Sequence, residues 1–204
     1  MKALRYAFRI THIDNIPHII KYGIVKPDSP NRNPRFVAIG DPEIIRTRGQ
    51  RIVKGYNLSD FIPFYFGPRS PMLYVIQHGY NGVRKLSPED IVYCVVRLDN
   101  LLTSDISCVF TDGHALNILS EFYQKNDLVR IDEIVRYDDV YSSRWDSSID
   151  IDLKRRKEAE LLVKDDLPEE YIKGFVVYNE NARNRLIDVG VSPERVVIAP
   201  QYYF

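Results

Sequence analysis

Between Phe61 and Tyr74 the chain carries five aromatic side chains, three prolines and one arginine, a mixture that few backbone paths satisfy. The composition from Phe61 to Phe66 predicts a strand. Pro63 has no N–H to give a sheet ladder, so that strand must sit at an edge, at a bulge, or unpaired on one side. Pro68 and Pro71 then stop it, and a helix starts from Ser70 with Pro71 at the favoured first helical position. Aromatic faces, Arg69 and the free N–H groups of a helix start suit a nucleotide. An aromatic core strand followed by a capped helix is the plainer alternative.

Around this segment the chain reads as strands interrupted irregularly by short helices. Strands are predicted at Tyr6–Ile10, Val37–Ile39, Ile91–Leu98, Cys108–Thr111, Leu161–Val163, Gly174–Tyr178 and Val196–Ile198. Helices are predicted from about Asp14 to Gly23, at Pro42–Ile45 and onward through Arg46 and Arg48, at Met72–His78, Leu116–Tyr123 and Ala182–Val189, with a charged helix over Ile151–Glu160. Lys26–Arg35, with three prolines, reads as a surface loop of the kind that covers a ligand. This irregular order predicts an α+β fold, because a doubly wound α/β fold alternates its strands and helices regularly. Neither G-x-G-x-x-G nor G-x-x-x-x-G-K-[ST] occurs, which argues against the usual dinucleotide and triphosphate loops.

At 204 residues one domain spanning 1–204 is expected. With 28 basic and 28 acidic side chains the formal charge is zero, so any nucleic-acid site must be a local patch and not a global field. Cys94 and Cys108, each beside β-branched residues, read as two buried thiols. The four histidines form no paired ligand motif, so no metal is expected. No apolar run suits a signal peptide or a membrane span, and the cytoplasm follows by elimination.

Five segments stand in a familiar order: Phe8-Arg9-Ile10-Thr11-His12-Ile13-Asp14-Asn15-Ile16, then Ile39 to Arg48, the aromatic segment, Val109-Phe110-Thr111-Asp112-Gly113-His114-Ala115, and Lys157-Glu158-Ala159-Glu160-Leu161-Leu162-Val163. Together they resemble the DarT family of DNA ADP-ribosyltransferase toxins, over a stretch from about Arg5 to Tyr202-Tyr203-Phe204. The resemblance implies an ADP-ribosyltransferase-like fold, with NAD in a cleft between two small, mostly antiparallel sheets and flanking helices. It also implies transfer of ADP-ribose onto a base in single-stranded DNA, thymine by preference, and a DarG-like macrodomain antitoxin as partner.

Carried over residue by residue, the resemblance makes Glu160 the catalytic carboxylate. Cleaving the bond between nicotinamide and ribose leaves positive charge on the sugar, and a carboxylate beside it stabilises that transition state. By residue type alone Glu160 is one more charge in a solvated run, and Glu158 is its nearest competitor. Arg48 matches a catalytic arginine; a guanidinium, always protonated, suits clamping a pyrophosphate or polarising a carbonyl better than removing a proton. Arg46, Arg51 and Lys54 would add a phosphate-attracting patch.

Arg9, Thr11, His12 and Asn15 match the first NAD-binding motif, with Arg9 where some relatives carry His. Without that motif His12 reads as a helix-cap neighbour. Tyr65 and Met72 match positions near NAD, where an aromatic face and a soft side chain enclose nicotinamide or its ribose. Arg69 and His114 fall in motifs associated with DNA. Arg144 and Trp145 lie in a polar stretch from Tyr137 to Asp150, where related transferases have a recognition loop; an arginine beside a tryptophan suits stacking of an unpaired base, though tryptophan is more often core. Lys154, Arg155, Arg156 and Lys157 either track a strand backbone or form a solvated helix face. Two rival readings stay open: the same chemistry on guanine or RNA, and a binding module without turnover.

Overall fold

The computed structural model describes residues 2–145, 148 and 150–204, so part of the expected recognition loop, at 146, 147 and 149, lies outside the described residues. β1 (Tyr6–His12) leads through a 3-10 turn (Ile13–Asn15) into α1 (Ile16–Tyr22), which Gly23 ends at φ 78°. A turn-rich loop follows, then α2 (Pro42–Arg48), the hairpin β2 (Ile52–Val53) and β3 (Tyr56–Asn57), β4 (Phe61–Tyr65) and α3 (Pro71–His78). Next come β5 (Ile91–Arg97), α4 (Leu98–Leu102), β6 (Cys108–Thr111), β7 (Phe122–Gln124), α5 (Ile131–Ile134) and α6 (Tyr137–Tyr141). The chain finishes with α7 (Leu153–Lys157), β8 (Glu160–Lys164), β9 (Ile172–Val177), α8 (Glu180–Asp188) and β10 (Val196–Ile198).

Eight strands join in the order β10-β9-β5-β1-β4-β8-β6-β7, antiparallel except for β9 with β10. The seam is between β1 and β4, which share a single register pair, Phe8 with Tyr65. Two four-stranded halves therefore meet at one point and part beyond it, in agreement with the two small sheets implied above.

Pro63 explains the parting. Its carbonyl accepts a bond from Arg9 Nη1 at 3.0 Å, across the seam. A strand residue directs its N–H and C=O to the same side, so the missing N–H of Pro63 falls where β1 would otherwise have to pair. A side chain from β1 fills the place of a ladder bond, and the cleft opens there.

Both faces of the β10-to-β1 half are covered, which accounts for the unbroken apolar run of β5. Val92, Cys94 and Val96 face one core with Ala182 and Leu186 of α8, while Ile91, Tyr93 and Val95 face another with Leu73 and Ile76 of α3. A third cluster, including Val53, Leu58, Val109 and Leu162, lies under the β2–β3 hairpin. Cys94 and Cys108 are buried free thiols, and burial pushes them up to about 12 and about 11.

Two expected elements are absent. Val37–Ile39 is loop and not strand: Asn15 accepts from Val37 N and donates to Val37 O, both at 2.9 Å, so a side chain takes the bonds a neighbouring strand would have made. Leu116–Tyr123 is not a helix. Asn117 Oδ1 accepts from Leu119 N at 2.9 Å, an Asx turn that competes with helix, and Phe122 enters β7 with its ring stacked on Tyr56 at 4.8 Å. Ile118 and Leu119 are left exposed, so their spacing does not reflect a buried helical face.

Candidate active site

Glu160 is the first residue of β8, in register with Tyr65 of β4, and is fully buried. Its backbone is held from β6: Glu160 N donates to Thr111 Oγ1 at 3.2 Å, and the hydroxyl donates to Gly113 O at 2.6 Å. Its carboxylate is held by the next turn, where Ala115 N donates to Oε1 at 3.0 Å. The Thr111-to-Ala115 motif, associated above with DNA, thus first serves to orient the Glu160 carboxylate.

Facing it is Arg48, the last residue of α2. Nη1 lies 3.2 Å from Oε1 and 2.9 Å from Oε2 of Glu160. The pairing leaves Arg48 Nη2 without a hydrogen-bond partner, and Glu160 Oε2, although ion-paired with Nη1, without a bond of hydrogen-bond geometry. Buried polar groups are ordinarily satisfied, and leaving one bare is costly, so an unused acceptor and donor side by side are poised for a ligand.

A cleft opens from this pair along the seam, lined by Arg9, Thr11, Arg48, Tyr65 and Met72 from the regular elements and by Phe36, Ile39 and Ile45 from the loop and α2. It continues past Arg9, Thr11 and Phe36 toward Asn15, His18, Lys26 and Arg32. Burial lowers the Arg9 guanidinium from its ordinary value, with the charge of Arg48 acting in the same direction. Burial raises the Tyr65 hydroxyl well above the phenol range, reinforced by Glu160 and Glu158, so it stays a neutral donor.

Thr11 and Asn15 reach the cleft already bonded to one another, Asn15 Nδ2 to Thr11 Oγ1 at 3.0 Å. His12 does not line it: its Nδ1 accepts from Asp14 N at 3.2 Å and caps the 3-10 turn, the helix-cap role its residue type allowed. Phe36, 55 % exposed beside the cleft, carries no motif signal beyond the proline-rich loop before it.

On the far side of Glu160 lies a second, more open groove, lined by His114, Asn117, Leu119, Lys154 and Glu158 among others. Burial holds the Glu158 carboxyl above its usual range against the pull of His114 and Lys154. Arg69 is pinned by Nη2 to Tyr141 O at 3.2 Å and sits in the left-handed region at φ 52°, with its buried Nε unpartnered. Arg144 is exposed. Trp145 stands in an aromatic cluster, 5.6 Å from both Tyr74 and Phe204, and lines neither groove.

The basic run before Glu160 is not the cationic track it resembles. Arg155 pairs with Asp152 at 2.7 Å and Asp112 at 3.0 Å; Arg156 pairs with Asp150 at 2.5 Å and Asp139 at 2.7 Å; Lys157 is buried. Two of the three cations in the patch around α2 are also paired, Arg46 with Glu43 at 3.1 Å and Lys54 with Glu121 at 2.5 Å, while Arg51 is exposed. Among the described residues no cluster of three or more His, Cys, Asp or Glu could hold a metal ion, and no helix is long and apolar enough to cross a membrane.

A splayed antiparallel sheet carries a fully buried carboxylate paired with an arginine at its parting, and that arginine lines a long cleft along the seam, an arrangement that suits a transferase working on a nucleotide donor. Residues 8–204 match the family model described as DarT, the ssDNA thymidine ADP-ribosyltransferase, and the chain belongs to that family of NAD-dependent DNA ADP-ribosyltransferases. It is 33 % identical to a DNA ADP-ribosyl transferase of Escherichia coli O127:H6 over 183 residues, 88 % of this chain and 83 % of that protein. A fusion of DNA ADP-ribosyl transferase and DNA ADP-ribosyl glycohydrolase from Thermosipho africanus is 30 % identical over 89 % of this chain and 45 % of its own length. Thermus sp. 2.9 DarT, solved in complex with ADP-ribosylated ssDNA, superposes over the whole of both chains with a TM-score of 0.84 at 27 % identity. The same protein solved with NAD+ gives 0.76 at 26 %, covering 100 % of this chain and 99 % of that one.

Proposed function

We propose that this chain transfers ADP-ribose from NAD to thymine in single-stranded DNA, and that the 204 residues work as one unit. The observation that carries the reading is the Glu160–Arg48 ion pair, in which Arg48 Nη2 has no hydrogen-bond partner and Glu160 Oε2 has only the ion-pair contact. Glu160 Oε2 accepts a hydrogen bond from a ribose hydroxyl and stabilises the cationic sugar as nicotinamide leaves. Arg48 pairs with Glu160 and donates to the donor nucleotide. Arg9, Thr11, Asn15, Tyr65 and Met72 line the NAD side, and His12 supports them through its cap.

The groove on the other side of Glu160 takes the strand. Arg69, His114 and Arg144 contact phosphate or a base edge there, and Trp145 serves the loop that carries Arg144. A thymine in a duplex has its pairing edge blocked, so the substrate is unpaired. The glycohydrolase fused to the Thermosipho relative supports a macrodomain antitoxin of the DarG kind as partner, which makes this chain the toxin, acting in the cytoplasm.

Nicotinamide release and product mass on all-T, all-G and matching RNA oligonucleotides test the reading. Transfer to the all-T DNA strand, lost in Glu160→Gln, is expected. Preferential modification of all-G DNA or of RNA would move the acceptor, and nicotinamide release independent of any strand would remove nucleic acid from the reaction.

A further inference from the structure

Lys157 ends α7, three residues before Glu160, and is 1 % exposed. Among the described residues no carboxylate pairs with it. Instead Nζ donates to Val140 O at 3.1 Å and to Ser142 O at 2.6 Å, and it stands 5.6 Å over the centre of the Trp145 ring. The carbonyl between those two, of Tyr141, is taken by Arg69 at 3.2 Å. Three consecutive carbonyls at the C-terminal end of α6 are thus bound by two cations, the buried Lys157 and the half-buried Arg69, where helix-end oxygens lack partners and positive charge is favoured.

The chain leaving this clamp is the polar loop. Ser142 Oγ donates to Arg144 O at 2.6 Å and accepts from Arg144 N at 3.2 Å, a turn that sets the direction of Arg144 and Trp145. The Trp145 ring is closed in by Tyr74 and Phe204 besides Lys157. We infer that Lys157 is a positioning residue for the acceptor strand, fastening the loop that bears Arg144 to the short segment that ends in Glu160. The inference rests on the reading that this loop meets DNA. The cleft proposed for NAD is lined by none of Lys157, Val140 and Ser142, so NAD binding does not depend on the clamp.

Burial, assisted by the charge of Arg69 and opposed by Glu158, brings Lys157 down to about 8. Asp139 of α6 is engaged by Arg156 and does not neutralise it. Because the folded value lies below the ordinary one, protonated Lys157 is held at a cost that begins to shrink as pH rises past about 8 and is gone near the ordinary lysine value, so global stability does not fall on its account. The hold on the loop does weaken, since a neutral amine loses the charge assistance of its bonds and the attraction of the ring.

The test measures KM for a single-stranded all-T oligonucleotide, kcat and NAD affinity for the wild type, K157M and K157R. K157M should raise the oligonucleotide KM about tenfold, the size of one lost charge-assisted bond, with NAD affinity unchanged. K157R should recover most of it. The wild-type KM should climb between about pH 7 and about pH 9, while K157R, whose charge persists, stays flat. If K157M does not fold, K157R and the wild-type pH profile decide. A wild type that transfers normally while K157M keeps its KM, or whose KM is flat with pH, overturns the inference alone; a wild type that modifies no DNA overturns the reading beneath it.

Discussion

Glu160 and Arg48, the proposed catalytic groups, are also an ion pair with little exposure, and that decides how each should be tested. Removing one partner of such a pair leaves the other charge uncompensated, at about 3–5 kcal/mol when burial is complete. Glu160→Ala would therefore confound activity with stability. Glu160→Gln preserves volume and an oxygen for Ala115 N, so although it too leaves the Arg48 charge unpaired it should lower the melting temperature less than Glu160→Ala, while lowering transfer by at least ~100-fold, as expected for loss of one transition-state electrostatic partner. Near-normal transfer in folded Glu160→Gln would remove Glu160 from the chemistry. Arg48, 13 % exposed in the cleft, should fall toward the lower end of that stability range on Arg48→Ala and lose most transfer besides. Arg51, exposed beyond the end of α2, should tolerate Arg51→Ala in both assays. A greater sensitivity at Arg51 would place the working arginine one turn away.

At the level of elements the site depends on close approach between backbones that only small residues allow. Gly67 follows β4, and a Cβ there would lie 2.1 Å from Val140 O, the carbonyl that Lys157 binds. Gly67→Ala must push back α6, so we expect a loss of about 1–3 kcal/mol by urea unfolding, with poorer use of the DNA strand than of NAD. An unchanged midpoint would mean that α6 yields freely. Much of this architecture was legible in advance: Pro63 announced an unpaired strand side, Ser70 and Pro71 fixed the start of α3, and the ordered motifs led to Glu160 and Arg48. Other parts were not, because they depend on distant partners. Nothing local distinguishes Lys157 from the arginines before it, yet it is the one turned inward, and the acids that neutralise Arg155 and Arg156 include Asp112 and Asp139 from other elements. Val37 could not be excluded from a strand without knowing that Asn15 would occupy its bonds.

Across the whole molecule the charge balance limits how DNA can be held. The chain carries no net charge, and its most basic segment is largely consumed by internal pairs. The cations left for a strand are Arg69, Arg144 and Lys154, and of these three only Lys154 lines the groove. Each phosphate neutralised on single-stranded DNA contributes about 0.7 to the slope of log affinity against log salt, so at most three contacts give a slope near −2. Binding of an all-T strand, followed by anisotropy over a salt series, should fall within that shallow range. Transfer should favour the single strand over the same sequence in a duplex, because the groove has too little charge to hold a duplex backbone and open it. A slope steeper than about −4 would require cations from a surface not counted here. Equal modification of duplex and single strand would mean that the enzyme extracts its base from the stack, and the groove beside Glu160 would then have to supply the unstacking free energy by contacts other than charge.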